Sequence, residues 1–149
     1  MAEPTAPRPT SAGVRFPPPT IFVAGLLAGW LLDRFVRAIP LARNAGALVF
    51  PAVAVIGLAL GLMLAGVLTF RRAGTAIIPH HPASRLVQWG PYRFTRNPMY
   101  TGLTLTYVGV SALLNSVWPL LLLPVVLFTL TRLVIHREER YLHAEFGAE

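Results

Sequence analysis

No cysteine occurs among the 149 residues, which excludes disulfides, thiolate metal sites and cysteine nucleophiles. Lysine is absent too, so all 13 basic residues are arginine. Charged residues make up only 13% of the chain, and no acid lies between Asp33 and Glu138. A chain this poor in charge cannot build the mixed-sign surface of a water-soluble domain. The long interval without acids also removes the mid-span carboxylates on which ion-coupled transporters depend. What is present is apolar: 54% of the residues are hydrophobic.

A hydrocarbon layer about 30 Å thick is crossed by roughly 20 apolar residues. By that measure the sequence predicts an all-α membrane protein with about four transmembrane helices. The first runs over about 20–39, with Asp33, Arg34 and Arg37 near its end, where long side chains reach the headgroups. The second is placed at 51–70, with Pro51 preferred over Ala45 as its start, and contains no charge. The apolar stretch from Met99 to Ile135 is too long for one crossing and is interrupted by Asn115-Ser116, which predicts a tight hairpin of helices 98–114 and 118–146. Pro124 is a candidate kink, and Gly57, Gly61 and Gly66 in the second helix predict close helix packing. Residues 1–19 carry six prolines and read as a disordered cytosolic tail, leaving 20–149 as a single membrane domain. No signal-peptide pattern is evident, and the first helix is expected to be retained.

The arginines are unevenly distributed among the connections. Arg8, Arg15, Arg71, Arg72, Arg85, Arg93, Arg96, Arg132, Arg137 and Arg140 fall on one side, against Arg34, Arg37 and Arg43 on the other. Both termini are therefore expected in the cytoplasm. The net charge of +7 suits anionic lipid headgroups, and no nucleic-acid partner is called for. The pair His80-His81, with His136 and His143, has no suitably spaced carboxylate, so no metal site is expected.

The densest chemistry lies in Gly90-Pro91-Tyr92-Arg93-Phe94-Thr95-Arg96-Asn97-Pro98-Met99-Tyr100, at the end of the 71–97 cytoplasmic loop. Asn97 before Pro98 is a helix N-cap followed by proline at the first helical position. In the hairpin arrangement this corner meets Glu138-Glu139, on the cytoplasmic extension of the fourth helix, at one membrane surface. Three groups of residues then carry a resemblance: Leu86-Val87 with Gly90-Pro91-Tyr92; Arg96-Asn97-Pro98-Met99-Tyr100 with Gly102; and Glu138-Glu139 with Leu142 and Phe146-Gly147. In these the chain resembles the membrane methyltransferases related to isoprenylcysteine carboxyl methyltransferase and the phospholipid N-methyltransferases. The resemblance covers roughly the last 80 residues, and the order and spacing of its parts are more specific than any one of them.

What the resemblance implies is an S-adenosylmethionine site at the cytoplasmic membrane surface, built without a soluble nucleotide-binding domain. Residue by residue, the cofactor-binding positions are Leu86, Val87, Tyr92, Asn97, Pro98, Met99, Tyr100 and Glu138. Arg96 is the candidate orienting residue in catalysis, and Arg93 and Arg137 are candidates for binding substrate. Tyrosine faces suit a sulfonium, and a carboxylate suits the cofactor's ammonium or ribose. The implied reaction is methyl transfer to a hydrophobic or lipid-attached carboxylate, amine or thiol. Asn97 stands where isoprenylcysteine enzymes typically have histidine, so the acceptor is not carried over. The family usually continues past its F-G pair, whereas this sequence stops at Glu149, implying either an abbreviated lid or a truncated coding sequence. The alternative is a transporter-like or non-catalytic four-helix membrane protein, which would have no use for the Arg96–Tyr100 corner together with Glu138.

Overall fold

The computed structural model describes residues 17–73, 89–95, 97–138 and 140. The expectations for Leu86, Val87, Arg96, Glu139 and the Phe146-Gly147 pair, and most of those for the tail and the 71–97 loop, lie outside these. Among the described residues the chain is all-helical: α1 (Pro18–Phe35), α2 (Gly46–Ala73), α3 (Pro98–Leu113) and α4 (Val117–Leu130), with a short 3₁₀ turn at Gly90–Arg93 before α3. A π-helical turn, Thr131–Ile135, carries α4 onward to Glu138.

Two helix ends differ most from the sequence expectation, each for a local reason, while smaller extensions put Pro18 and Pro19 in α1 and residues 71–73 in α2. α1 stops at Phe35 rather than near Ile39. There the Asp33 carboxylate accepts the Ile39 backbone N–H at 3.3 Å, and Pro40 disfavours helix at Ile39. α2 starts at Gly46, not Pro51, because the Asn44 side chain accepts the Gly46 N–H at 3.0 Å and caps the helix earlier. Pro51 is then carried inside the helix, where its missing N–H leaves a single carbonyl, that of Ala47, without its usual donor. The α3–α4 reversal falls at the expected place. Asn115 adopts the left-handed conformation (φ 49°), which asparagine tolerates. Its side chain grips the α1–α2 connection, accepting from Ala42 N at 2.9 Å and donating to Ala42 O at 3.0 Å.

α3 occupies the middle of the molecule and presents two unlike faces. Toward α2 it presents Gly102 and Gly109. A Cβ at Gly109 would lie 2.5 Å from Ile56 Cγ1 and 3.1 Å from the Ala52 carbonyl, and one at Gly102 would strike Met63 and lie 3.1 Å from the Ala59 carbonyl. On α2 the matching positions are Ala52, Ala59 and Gly66, one every seven residues and all buried. Gly57 and Gly61 do not take part in this packing, since a Cβ on either would meet nothing within 4 Å; only Gly66 of that series packs as expected. The opposite face of α3 presents Tyr100 and Tyr107, which form a core with Phe22 of α1 and Val126, Leu130 and Val134 of the α4 segment. α1 and α4 also pack closely, through Gly25 against Val126 and Gly29 against Pro119.

Among the described residues, two helices are long and apolar enough to cross a membrane: Gly46–Ala73, with mean hydropathy 2.5, and Val117–Glu138, with 2.0. Only 11% and 22% of these apolar windows are buried within the protein, and Val53, Leu58, Leu60, Leu64, Leu121 and Val125 all point outward. Helices buried in a soluble core would show the reverse, so the exposed apolar surface calls for lipid around it.

Candidate active site at the α3 entrance

The start of α3 is built by local hydrogen bonds. Asn97 Oδ1 accepts the Tyr100 backbone N–H at 3.2 Å, the cap expected from Asn-Pro. Thr101 Oγ1 donates to the Asn97 carbonyl at 3.1 Å. Thr95 Oγ1 lies 3.0 Å from Thr101 Oγ1 and accepts the Asn97 N–H at 3.3 Å. The two threonines thus clamp the cap from both sides. Sequence reasoning passed over them, although threonines flanking an Asn-Pro pair are suited to such backbone contacts.

With its backbone held, Tyr100 turns toward α4 and its hydroxyl donates to Glu138 Oε1 at 2.7 Å. The bond joins positions 38 residues apart. It depends on the π turn. Leu130, Val134 and Glu138 are spaced by four, and in an unbroken α-helix each such step overshoots by about 40°. Two steps would swing Glu138 about 80° away from the Leu130 face. The extra residue of the π turn takes up roughly one residue's rotation, keeping Val134 buried and Glu138 on Tyr100.

Tyr92 belongs to a second cluster, on the α2 side. Its ring meets Phe70 edge-on, with centroids 4.9 Å apart and planes at 80°. A Cβ at Gly66 would lie 3.6 Å from the Tyr92 hydroxyl and 3.2 Å from Pro98 Cγ, so tyrosine and proline share the space that Gly66 leaves. Gly90 makes the approach possible: it has φ +66°, and a Cβ there would lie 2.9 Å from Thr69 Oγ1. Burial pushes the Tyr92 phenol up to about 12, so it remains a neutral hydrogen-bonding group at physiological pH.

Of the expected site residues, Asn97, Tyr100 and Glu138 are brought together, and so are Tyr92 and Pro98. The two clusters lie on opposite faces of the first turn of α3. Met99 lies between them and is partly exposed, while Arg93 and Arg137 are exposed at the same end of the molecule. Chemically, the site combines a carboxylate held by a phenol, a neutral phenol on an aromatic wall, and nearby arginines. That donor set fits a cationic ligand bearing hydroxyl and carboxylate groups. An apolar groove of about 470 Å³ between α1 and α4, lined by Ala24, Gly25, Ala28, Leu122, Val125 and Thr129 among others, has no ionisable side chain and does not suit such a ligand.

Neither a curated protein nor a solved structure significantly matches the chain. A family model, phospholipid methyltransferase, matches residues 48–149, a span running from the start of α2 through both clusters. The chain belongs to the phospholipid methyltransferase family.

Proposed function

We propose that the chain transfers a methyl group from S-adenosylmethionine to a hydrophobic or lipid-attached carboxylate, amine or thiol at the cytoplasmic membrane surface. Family membership supports methyl transfer to a lipid-like acceptor. The observation that carries the site is the 2.7 Å hydrogen bond between Tyr100 and Glu138, which ties the capped entrance of α3 to the end of α4.

In this reading Leu86, Val87, Tyr92, Asn97, Pro98, Met99, Tyr100 and Glu138 hold the cofactor. Arg96 orients the reacting groups, and Arg93 and Arg137 receive an anionic part of the acceptor. The bound cofactor would supply an electrophilic methyl group on sulfonium. The protein's own contribution is alignment. Glu138, oriented by the Tyr100 hydroxyl, offers a fixed anionic acceptor for the cofactor's ammonium or ribose hydroxyls. Tyr92 offers a neutral aromatic surface. All four helices cross the bilayer in this reading, with both termini cytoplasmic. α1 and α3, at 18 and 16 residues, are short spans accommodated by local thinning.

The test is equilibrium binding of S-adenosylmethionine to detergent-purified protein. Saturable binding by the wild type, weakened in Glu138→Gln, is expected. Absence of saturable binding by a protein with intact helicity would refute the cofactor assignment. A methylation screen over phospholipids, prenylated cysteines and hydrophobic amines then identifies the acceptor.

A further inference from the structure

The turn around Trp89–Thr95 turns one aromatic side chain inward and two outward. Tyr92 packs on Phe70, whereas Phe94 is 88% exposed and Trp89 48% exposed. The turn itself is well anchored: Phe94 and Thr95 both donate their backbone N–H groups to the Pro91 carbonyl, at 3.1 and 3.2 Å, and Gly90 packs on Thr69. The Phe94 ring and half of the Trp89 ring are therefore held out from the protein on a fixed support. Left in water, each would keep a large apolar surface hydrated.

Exposed arginines are collected at the end of the molecule that carries this turn. Arg71 and Arg72 end α2, Arg93 lies on the turn itself, and Arg132, Arg137 and Arg140 extend along the α4 segment joined to the site by the Tyr100–Glu138 bond. Among the described residues Glu138 is the one carboxylate at this end. The other end has Arg34, Arg37 and Arg43 with Asp33. Aromatic rings beside arginine are the composition that settles at a bilayer's headgroup layer, and an excess of arginine selects anionic headgroups.

We infer that Trp89 and Phe94 seat in the headgroup layer of an anionic leaflet, and that the arginines at this end hold anionic phospholipid headgroups against the mouth of the site. The inference rests on the membrane-spanning reading. Its consequence is that anionic lipid fixes the depth of the turn, so the lipid composition around the protein governs how the α3 entrance meets its acceptor.

The absence of cysteine allows a direct measurement. Phe94→Cys, labelled with a nitroxide and reconstituted in phosphatidylcholine vesicles with increasing phosphatidylglycerol, reports depth by collision with oxygen against a water-soluble nickel chelate. Extraction with alkaline carbonate precedes the measurement; release of the protein into the supernatant would refute the membrane-spanning reading itself. For integrated protein, the label is expected at headgroup depth and to move deeper as phosphatidylglycerol is added. In Arg71→Gln/Arg72→Gln, the movement at a given phosphatidylglycerol content should shrink, each arginine removed weakening the attraction to the anionic surface about fivefold, the equivalent of about 1 kcal/mol. A label as accessible to the nickel chelate as one in water, or a depth indifferent to phosphatidylglycerol, overturns the inference. None of these readings requires methyl transfer, so a catalytically silent protein would leave the test intact.

Discussion

The two faces of α3 are packed by opposite means. Toward α2, Gly102 and Gly109 meet backbone carbonyls and the side chains of Met63 and Ile56, so the helices touch nearly backbone to backbone. Toward α4, Tyr100 and Tyr107 stand between the helices and hold them apart, each ending in a hydrogen bond: Tyr100 to Glu138 and Tyr107 to the Pro119 carbonyl, both at 2.7 Å. Close contact of small residues leaves no room for a ligand and gives the pair rigidity. The tyrosine-spaced seam is wider, and its polar contacts are side-chain bonds that can exchange partners. Chemistry that needs an entering cofactor is suited to the second seam, with the first acting as its fixed wall.

The comparison is most severely tested by filling the tight seam. Gly102→Leu is expected to destabilise the protein by about 3 kcal/mol through overpacking, read as loss of thermal stability in detergent. Gly57→Leu and Gly61→Leu, in open positions of α2, should change it by no more than about 0.5 kcal/mol. If all three behaved alike, the seven-residue packing pattern would be wrong. On the wide seam, Glu138→Gln keeps an acceptor for the Tyr100 hydroxyl but removes the charge from a contact with the cofactor worth about 1.5–3 kcal/mol. Cofactor affinity should fall roughly 10- to 100-fold, with thermal stability little altered. Tyr107→Phe should show the converse, losing about 1 kcal/mol of stability while isothermal titration finds cofactor affinity unchanged. The smallest effect belongs to the cap: Asn97→Ala should cost about 1 kcal/mol or less, visible as fraying of the first turn of α3 in amide exchange. Because burial holds the Tyr92 phenol up at about 12, it stays protonated well above its ordinary range. Tyr92→Phe should therefore leave the pH profile of methyl transfer unchanged between pH 6 and about 9.

Where the controlling chemistry is local, the sequence was readable. Asn97-Pro98 specifies a cap and a first turn without help from elsewhere, and α3 begins there. Asn115-Ser116 likewise marks the reversal. Pro51 misled because proline favours a helix start, yet Asn44, seven residues earlier, had already supplied a cap. Gly57 and Gly61 misled for a different reason: glycine spacing marks places where a helix can be approached, but the partner's position decides which are used. On α2 the used stripe includes two alanines, Ala52 and Ala59, whose role depends on Gly109 and Gly102 across the seam. The Glu138-Glu139 pair was reached through the hairpin arrangement, and Glu138 was chosen from it through family resemblance. The turn that aims it had no legible signature, since a π turn is a displacement of backbone hydrogen bonds and Thr131-Arg132-Leu133-Val134-Ile135 reads as ordinary helix.

That wide turn has a genetic consequence. A π turn is equivalent to one residue inserted into an α-helix, so deleting a single residue within Thr131–Ile135 should restore regular winding while leaving Glu138 pointed at Tyr100. The same deletion a few residues earlier, within Leu120–Phe128, would rotate everything beyond it by about 100°. Along α4, this is the place where the gene can lose a codon without turning its carboxylate away from the site.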